Sequence, residues 1–326
     1  MSTAAKISVA MTTYNGEKYV ESQLQSILTQ TRLPDEVIIC DDVSTDNTVE
    51  IIKTFISSHK LDNWYLFINN QNLGWRQNFR NSLSKTSGEI IFFADQDDIW
   101  LNDKIEHMST LMYESNMGCL YGHAQVIDSD NHAINARNER LYYTGKIQQI
   151  AFKPSFYMVG ALGCCMCVRR RVLNKYLELN VIEDDHDSQC PRLAILYDTL
   201  YEYDRPVIQY RIHQGNNSGI SSEFSYGASS LKQRIKDIEI MSIWLEKVRQ
   251  QNNNETQLRY INRALVLEKK RLAYLRDSKI FFIHLFKYFN SYTGIAMLIG
   301  DFAYKHNINR LLGKIRWNLK RIVMHK

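Results

Sequence analysis

Over the first 120 residues, short apolar runs alternate with amphipathic stretches. Residues 7–12 form a compact apolar run, and residues 17–29 then place Tyr19, Val20, Leu24, Ile27 and Leu28 at helical spacing before Pro34 closes the connection. Residues 36–40, 64–68 and 89–94 read as further strands, and between them lie helices capped at Thr45 or Asp46 and spanning 76–83. This βαβαβαβ order predicts an α/β fold with a largely parallel sheet flanked by helices. From residue 117 the pattern loosens into strands at 119–127 and 160–168, a polar loop at 128–143 and a helix at 192–202. Beyond residue 229, Leu231, Ile235, Ile238, Met241, Leu245 and Val248 make one helical stripe, and Leu258, Ile261, Leu265, Leu272 and Leu275 make another. The expected division is a domain over 1–225, with halves at 1–118 and 119–225, followed by a helical region over 226–326.

With 44% apolar and 23% charged residues in a chain of 326, the protein has enough apolar material for a sizeable core. Charge is unevenly placed: residues 1–230 hold 20 basic against 28 acidic side chains, residues 231–326 hold 20 against 7. An acidic first part suits chemistry assisted by a cation, and a basic last part suits an anionic surface. The six cysteines are few, and no charged and apolar leader pattern opens the sequence, so a reducing, cytoplasmic setting is expected. Cys164, Cys165 and Cys167 fall in an apolar stretch without a second ligand pair at zinc spacing, which favours reduced core thiols.

Acidic residues gather where strands end. Asp95-Gln96-Asp97-Asp98 follows the run Ile90–Ala94 directly, at the position where open α/β sheets bind ligands. Two carboxylates one residue apart can share a hard divalent cation; the same residues could equally form a solvated turn, with Asp98 or Asn102 capping the next helix. Asp41 and Asp42 close the second strand, where an acid can accept hydrogen bonds from a nucleoside. The first turn, Thr12 to Glu17, lacks Gly-x-Gly-x-x-Gly, and no Gly-x-x-x-x-Gly-Lys-Ser/Thr loop occurs, so a bound diphosphate would depend on the metal. Basic residues interleaved with a stacking platform are also missing, which argues against nucleic acid as a partner.

The series Thr13-Tyr14-Asn15-Gly16, Asp41 to Thr48, Asn72-Leu73-Gly74 and Asp95-Gln96-Asp97-Asp98-Ile99-Trp100 resembles glycosyltransferase family 2 in order and placement. The resemblance implies a nucleotide-diphospho-sugar transferase fold of the A type, Rossmann-like with a mixed sheet, and a C-terminal helical appendage. It implies that Thr13, Tyr14, Asn15, Asp41 and Asp42 surround the nucleoside, and that Asp95 and Asp97 hold Mn2+ or Mg2+ against the diphosphate. Gln96, Asp98 and Trp100 resemble rhamnosyltransferase-like bacterial members, which points to dTDP-rhamnose or a UDP-hexose as donor. Inverting transfer needs a base on the acceptor hydroxyl. Within Glu183-Asp184-Asp185-His186-Asp187, the His-Asp pair resembles the family's base-bearing element, so Asp187 is the first candidate and Asp185 and Asp184 are the alternatives. The segment 209–218 resembles the one that closes the site, placing Arg211 and His213 on diphosphate oxygens and His213 on the metal.

Residues 305–326 carry seven cations and no acid, with Ile308, Leu311, Leu312, Ile315, Leu319 and Ile322 at helical spacing. Such a segment can lie on an anionic membrane, or pack on its own domain or a second subunit in a homo-oligomer. Residues 280–304 are too interrupted by His284, Lys287, Asn290 and Asp301 to span a bilayer. The leading expectation is an inverting, metal-dependent glycosyltransferase, peripheral on the cytoplasmic face of the membrane, extending a lipid-linked glycan in bacterial cell-surface polysaccharide synthesis. The competing one is a non-catalytic, membrane-associated nucleotide-binding or scaffold protein of the same fold.

Overall fold

The computed structural model describes residues 5–134, 142–213, 230–277 and 295–308, the side chains of 295–298 excepted. Two compact units emerge: Met1–Phe152 with Val159–Gln214, and Lys153–Met158 with Gly215–Lys326. In the first unit the chain runs β1 (Ile7–Thr13), α1 (Val20–Leu28), β2 (Glu36–Asp41), α2 (Thr48–Ser58), β3 (Trp64–Ile68), α3 (Trp75–Lys85) and β4 (Ile90–Ala94). It continues through β5 (Ile99–Trp100), α4 (Lys104–Glu114), β6 (Cys119–Ile127), β7 (Ile147–Gln149), β8 (Met166–Arg169), α5 (Arg170–Leu179), α6 (His186–Leu196) and β9 (Leu200–Arg211).

One mixed sheet of nine strands results, in the order β3-β2-β1-β4-β8-β6-β9-β5, with β7 paired to β9. The first four strands are mutually parallel, as crossover helices require. β8 enters antiparallel to β4, with Ile91 opposite Val168. Every residue of β1, β2 and β4 is buried, because helices cover both faces of a parallel sheet. α1 contributes Val20, Leu24 and Ile27 to the core and turns Glu21 and Gln25 to water.

The first seven elements follow the expected pattern. Tyr19 departs from it: the helix starts at Val20, and Tyr19 is the residue before it, its ring against His213 at a centroid distance of 4.8 Å. The helix expected over 192–202 is corrected to α6 over His186–Leu196 followed by strand β9. Tyr201, Tyr203 and Val207 follow a period of two, and pairing of this strand with β6, β7 and β5 outweighs local helix propensity. Much of the strand expected over 160–168 is instead a loop and a 3-10 turn at Gly163–Cys165, with only Met166–Arg169 extended. All six cysteines are buried free thiols, as a core reading of that cluster expects.

The second unit contains a helical hairpin, α7 (Leu231–Gln250) and α8 (Glu255–Arg276), and a further helix α9 (Ile295–Lys305). Ser230 and Asn254 cap the two hairpin helices, accepting from the amides of Gln233 and Gln257 at 3.1 Å each. The fully buried Asp301 of α9 accepts from Arg234 of α7 at 2.9 Å and from Arg271 of α8 at 2.7 Å, while Arg271 also grips Glu268 at 2.8 Å. Part of the region's positive charge is therefore neutralised internally. Residues 309–326, which carry most of the basic segment, lie outside the described residues.

Candidate active site

The carboxyl ends of β1, β2 and β4 bring Thr13, Asp41 and Asp95 to one edge of the sheet. Asp41 is fully buried and accepts from the Thr13 hydroxyl (2.7 Å), the Ser44 hydroxyl (2.6 Å) and the Ser44 amide (2.8 Å). Three donors leave about one of a carboxylate's four lone-pair positions. Asp42 is committed to the loop before α3, accepting from Asn69 Nδ2, Leu73 N and Gly74 N, each at 2.8 Å. Gly74, at φ 78°, takes the left-handed conformation that this loop needs. Asn15 braces the facing loop, its Oδ1 accepting from Thr45 N at 2.8 Å. The Tyr14 ring is 48% exposed above this edge, while its backbone exchanges two hydrogen bonds with the Gln96 side chain at 2.7 and 3.0 Å. A Cβ on Gly16 would lie 2.4 Å from Gln96 Oε1, so the glycine makes room for that exchange.

The antiparallel register of β5 and β9 sets Ile99 opposite Gln209, and counting outward places Asp97 beside Arg211 and just short of His213. His213 Nε2 lies 2.8 Å from Asp97 Oδ2. Arg211 is buried; its Nε donates to the Asp97 carbonyl at 2.8 Å, its Nη1 to Asn131 Oδ1 at 2.5 Å, and its amide to Asp98 Oδ1 at 3.1 Å. The Arg211 guanidinium, expected on diphosphate oxygens, is engaged here by the Asp97 carbonyl and Asn131, with the Tyr19 ring 4.6 Å from it. Asp98 is fully buried and bonded to that amide, so it caps no helix.

Charge in this turn is crowded. Burial, then the negative charges of Asp97 and Asp187, push the Asp95 carboxyl up to about 7, with His186 and the Cys164 thiol offsetting part of the effect. Burial together with Asp97 and Asp95 drives Asp98 well above the carboxylate range. Its Oδ2 is buried without a partner. A divalent cation would relieve this repulsion; Asp97 and His213 are already paired, and Asp95 stands two residues before Asp97 in the same turn. Asp95, Asp98 and Cys164 also lie within 4.8 Å of one another. That group suits a hard ion less well, since burial pushes the Asp98 carboxyl up, and the hydrogen bond with Cys165 together with burial pushes the Cys164 thiol up, so both favour their neutral forms.

Of the three acids proposed at the start of α6, the structure engages two elsewhere. Asp184 Oδ2 pairs with Arg192 at 2.5 Å, and Asp185 pairs with Arg76, whose guanidinium lies 4.3 Å over the Trp75 ring. Asp187 instead faces inward, its Oδ1 2.7 Å from His186 Nε2 and its charge felt at Asp95. Burial opposes a charge on the His186 ring, but Asp187, Asp95 and Asp185 outweigh it and hold the imidazole above its usual range. Sequence reasoning missed two supports of Asp187. Pro191 has no amide to bond the Asp187 carbonyl four residues back, and that carbonyl accepts from Ala161 at 2.9 Å. Gly163 packs so closely that a Cβ there would lie 2.4 Å from Asp187 Oδ1.

Sheet order and acidic edge together define a nucleotide-sugar transferase fold of the A type. The chain belongs to Glycosyl transferase family 2, whose profile matches residues 8–177. It is 28% identical over 226 residues to the dTDP-rhamnosyl transferase RfbG of Shigella flexneri, covering 66% of this chain and 75% of the relative. It is 31% identical over 198 residues to WfgD of Escherichia coli, named UDP-Glc:alpha-D-GlcNAc-diphosphoundecaprenol beta-1,3-glucosyltransferase, covering 56% and 72%. Among solved structures, S. aureus TarS 1-349 in complex with UDP-GlcNAc superposes with a TM-score of 0.62 at 16% identity, over 96% of this chain and 92% of that one. The mannosyltransferase PcManGT from Pyrobaculum calidifontis, in complex with GDP-Man and Mn2+, gives 0.51 at 15% identity over 98% and 88%. These two likenesses are of fold.

Gly163→Ala tests the close packing at the acid. Its Cβ must displace the Asp187 carboxylate or the turn, so sugar transfer should fall at least tenfold, with a stability loss of about 1–3 kcal/mol from overpacking. Parallel thermal melts and transfer assays check this; wild-type transfer by the alanine variant contradicts it.

Proposed function

We propose that this glycosyltransferase inverts the anomeric centre of a nucleotide-activated sugar, dTDP-rhamnose or a UDP-hexose, as it moves that sugar to a lipid-linked glycan. The observation that carries this reading is the meeting, at one edge of the sheet, of the Asp97–His213 pair at 2.8 Å with a separate acid, Asp187, whose charge reaches Asp95. Donor nucleoside would lie on the exposed Tyr14 ring beside Thr13 and Asp41, a short reach from the Asp95–Asp98 turn. A divalent cation held by Asp95, Asp97 and His213 would neutralise the diphosphate as it leaves. Asp187 accepts the proton of the acceptor hydroxyl while that oxygen bonds to the anomeric carbon, and the electron pair of the breaking C–O bond departs with the nucleoside diphosphate. Attack from the face opposite the leaving group inverts the centre. Asp184 and Asp185 are less suited to this task because each already has an arginine partner.

The names of the relatives support the substrate class: one is a dTDP-rhamnosyl transferase, and another acts on a diphosphoundecaprenol-linked sugar. Among the described residues no helix is long and apolar enough to cross a membrane. We therefore assign contact with a lipid-linked acceptor to the basic residues of 305–326, which would hold the chain against an anionic leaflet, each cation contributing about 1 kcal/mol.

Three outcomes test this reading. Asp97→Asn should fold normally yet lose nearly all turnover and its metal-dependent donor binding; full activity of the native protein in excess chelator would remove the metal from the mechanism. Asp187→Asn should leave donor affinity within a fewfold of wild type and cut transfer by about 10²-fold or more, as measured by initial rates on a soluble acceptor. Changing Lys314, Arg316, Lys320 and Arg321 together to Gln should reduce flotation with anionic vesicles and spare transfer to a short soluble acceptor. Unchanged flotation would assign those cations to packing instead.

A further inference from the structure

His186 has a more demanding environment than its place in an acidic loop suggests. It opens α6 with only 3% of its surface exposed, and its ring lies parallel to Phe93, with an interplanar angle of 1° and centroids 5.1 Å apart. Phe79 stands 4.2 Å away and Trp75 meets it edge-on at 6.4 Å. In such an aromatic cage a phenyl ring would pack as well, and it would avoid burying the Nδ1 atom, which finds no hydrogen-bond partner. The other nitrogen explains the imidazole. Nε2 makes an ion-pair contact of 2.7 Å with Asp187 Oδ1, a buried oxygen that has no hydrogen-bond donor of its own among the described residues, and the Gly163 backbone closes on both groups, since a Cβ there would fall 2.6 Å from Nε2.

The stack also has a direction. Phe93 belongs to β4 and stands two residues before Asp95, so the ring that touches Asp187 rests on the strand that leads to the metal-binding turn. With 36% of its side chain exposed, Asp187 keeps torsional freedom that the contact with Nε2 limits. We propose that His186 is a positioning residue for glycosyl transfer: its Nε2 fixes the Asp187 carboxylate in the orientation that accepts the acceptor's proton, and its stack on Phe93 sets that carboxylate's place relative to Asp95. This rests on Asp187 being the base, and it goes further by assigning the alignment of base and donor to one buried ring. Orientation of a base by a third group is a general requirement of such proton transfers.

His186→Phe tests it, because it keeps an aromatic ring in the stack and removes both ring nitrogens, at the cost of a somewhat larger side chain. Melting temperature and donor KM should stay close to wild type while kcat for transfer falls about 10- to 100-fold, the range seen when an orienting partner is removed. His186→Gln, which returns an amide nitrogen near the Nε2 position, should recover part of that loss. In an Asp187→Asn background, His186→Phe should cost less than about twofold more, since a residue that acts through Asp187 has nothing left to position. Wild-type kcat in His186→Phe overturns the proposal, as does a full multiplicative loss in the double variant. Should His186→Phe fail to fold, His186→Gln decides alone: a loss of kcat as large as that of Asp187→Asn, at unchanged melting, overturns it. Normal transfer by Asp187→Asn would instead remove the base reading itself, a result that no His186 variant imitates.

Discussion

The acids Asp95, Asp97, Asp98 and Asp187 converge on one edge of the sheet, and holding them there, against the cost of burial and the repulsion among those that are charged, is the constraint around which the first unit is organised. In a medium of low dielectric, like charges a few ångströms apart repel by several kcal/mol. The consequence is visible in Asp95, pushed up to about 7 by burial and by Asp97 and Asp187, and in Asp98, driven well above the carboxylate range by burial and by Asp97 and Asp95. An assembly of this kind is stable only if cations and fixed dipoles surround it, and most of those in the structure reach it from distant parts of the chain. Arg211 comes from the end of β9, His186 from the start of α6, and Lys104 from the first turn of α4.

Lys104 shows how deep the arrangement runs. Its ammonium is buried, donates to the Cys164 carbonyl at 2.6 Å and lies 3.5 Å over the Trp100 ring. Burial lowers its pKa to about 8, against the pull of neighbouring thiols and Asp98. A lysine so placed supplies positive potential beneath the acidic turn without occupying its mouth. Arg211 serves the same end on the other side, bonding the backbone of Asp97 and the side chain of Asn131 while the carboxylate of Asp97 stays beside His213. At the mouth of the site the acids Asp97 and Asp187 meet imidazoles rather than arginine or lysine, a setting that a divalent cation is suited to join.

What was legible in the sequence follows from how local each determinant is. The parallel half of the sheet could be read because apolar runs and helical stripes are patterns of near neighbours, and the Asp95–Asp98 turn because it falls in order with the other motif pieces along the same framework. β9 could not be read as easily: Leu200 to Tyr203 has a helix-compatible local sequence, and its extended form depends on β6, some eighty residues away. Arg211 reads as a phosphate ligand because a basic residue near a closing segment invites that assignment; only the β5–β9 register reveals that its guanidinium bonds the Asp97 carbonyl. Gly163 and Pro191 carried no visible signal, since one acts by lacking a Cβ and the other by lacking an amide proton. Asp187 itself stood out from Asp184 and Asp185 only once the arginine partners of the latter two were known.

The family's separate motif pieces also acquire a single physical explanation. Gly16 is small because Gln96 lies against it, and Gln96 lies there because it completes both backbone hydrogen bonds of Tyr14. Asn15 reaches Thr45, Glu17 holds Asn47, and Asp42 holds Leu73 and Gly74. The four segments that look unrelated along the chain are thus links in one hydrogen-bonded assembly that joins the ends of β1 and β2 to the acidic turn. Val43 is kept at φ 65°, a conformation costly for a β-branched residue, because the neighbouring bonds of Asp41 and Asp42 leave the loop no easier path. Strain of this kind persists only where the surroundings over-determine the backbone. A change in any one segment must therefore be felt at the others, which is a physical reason for the pieces to occur together and in order.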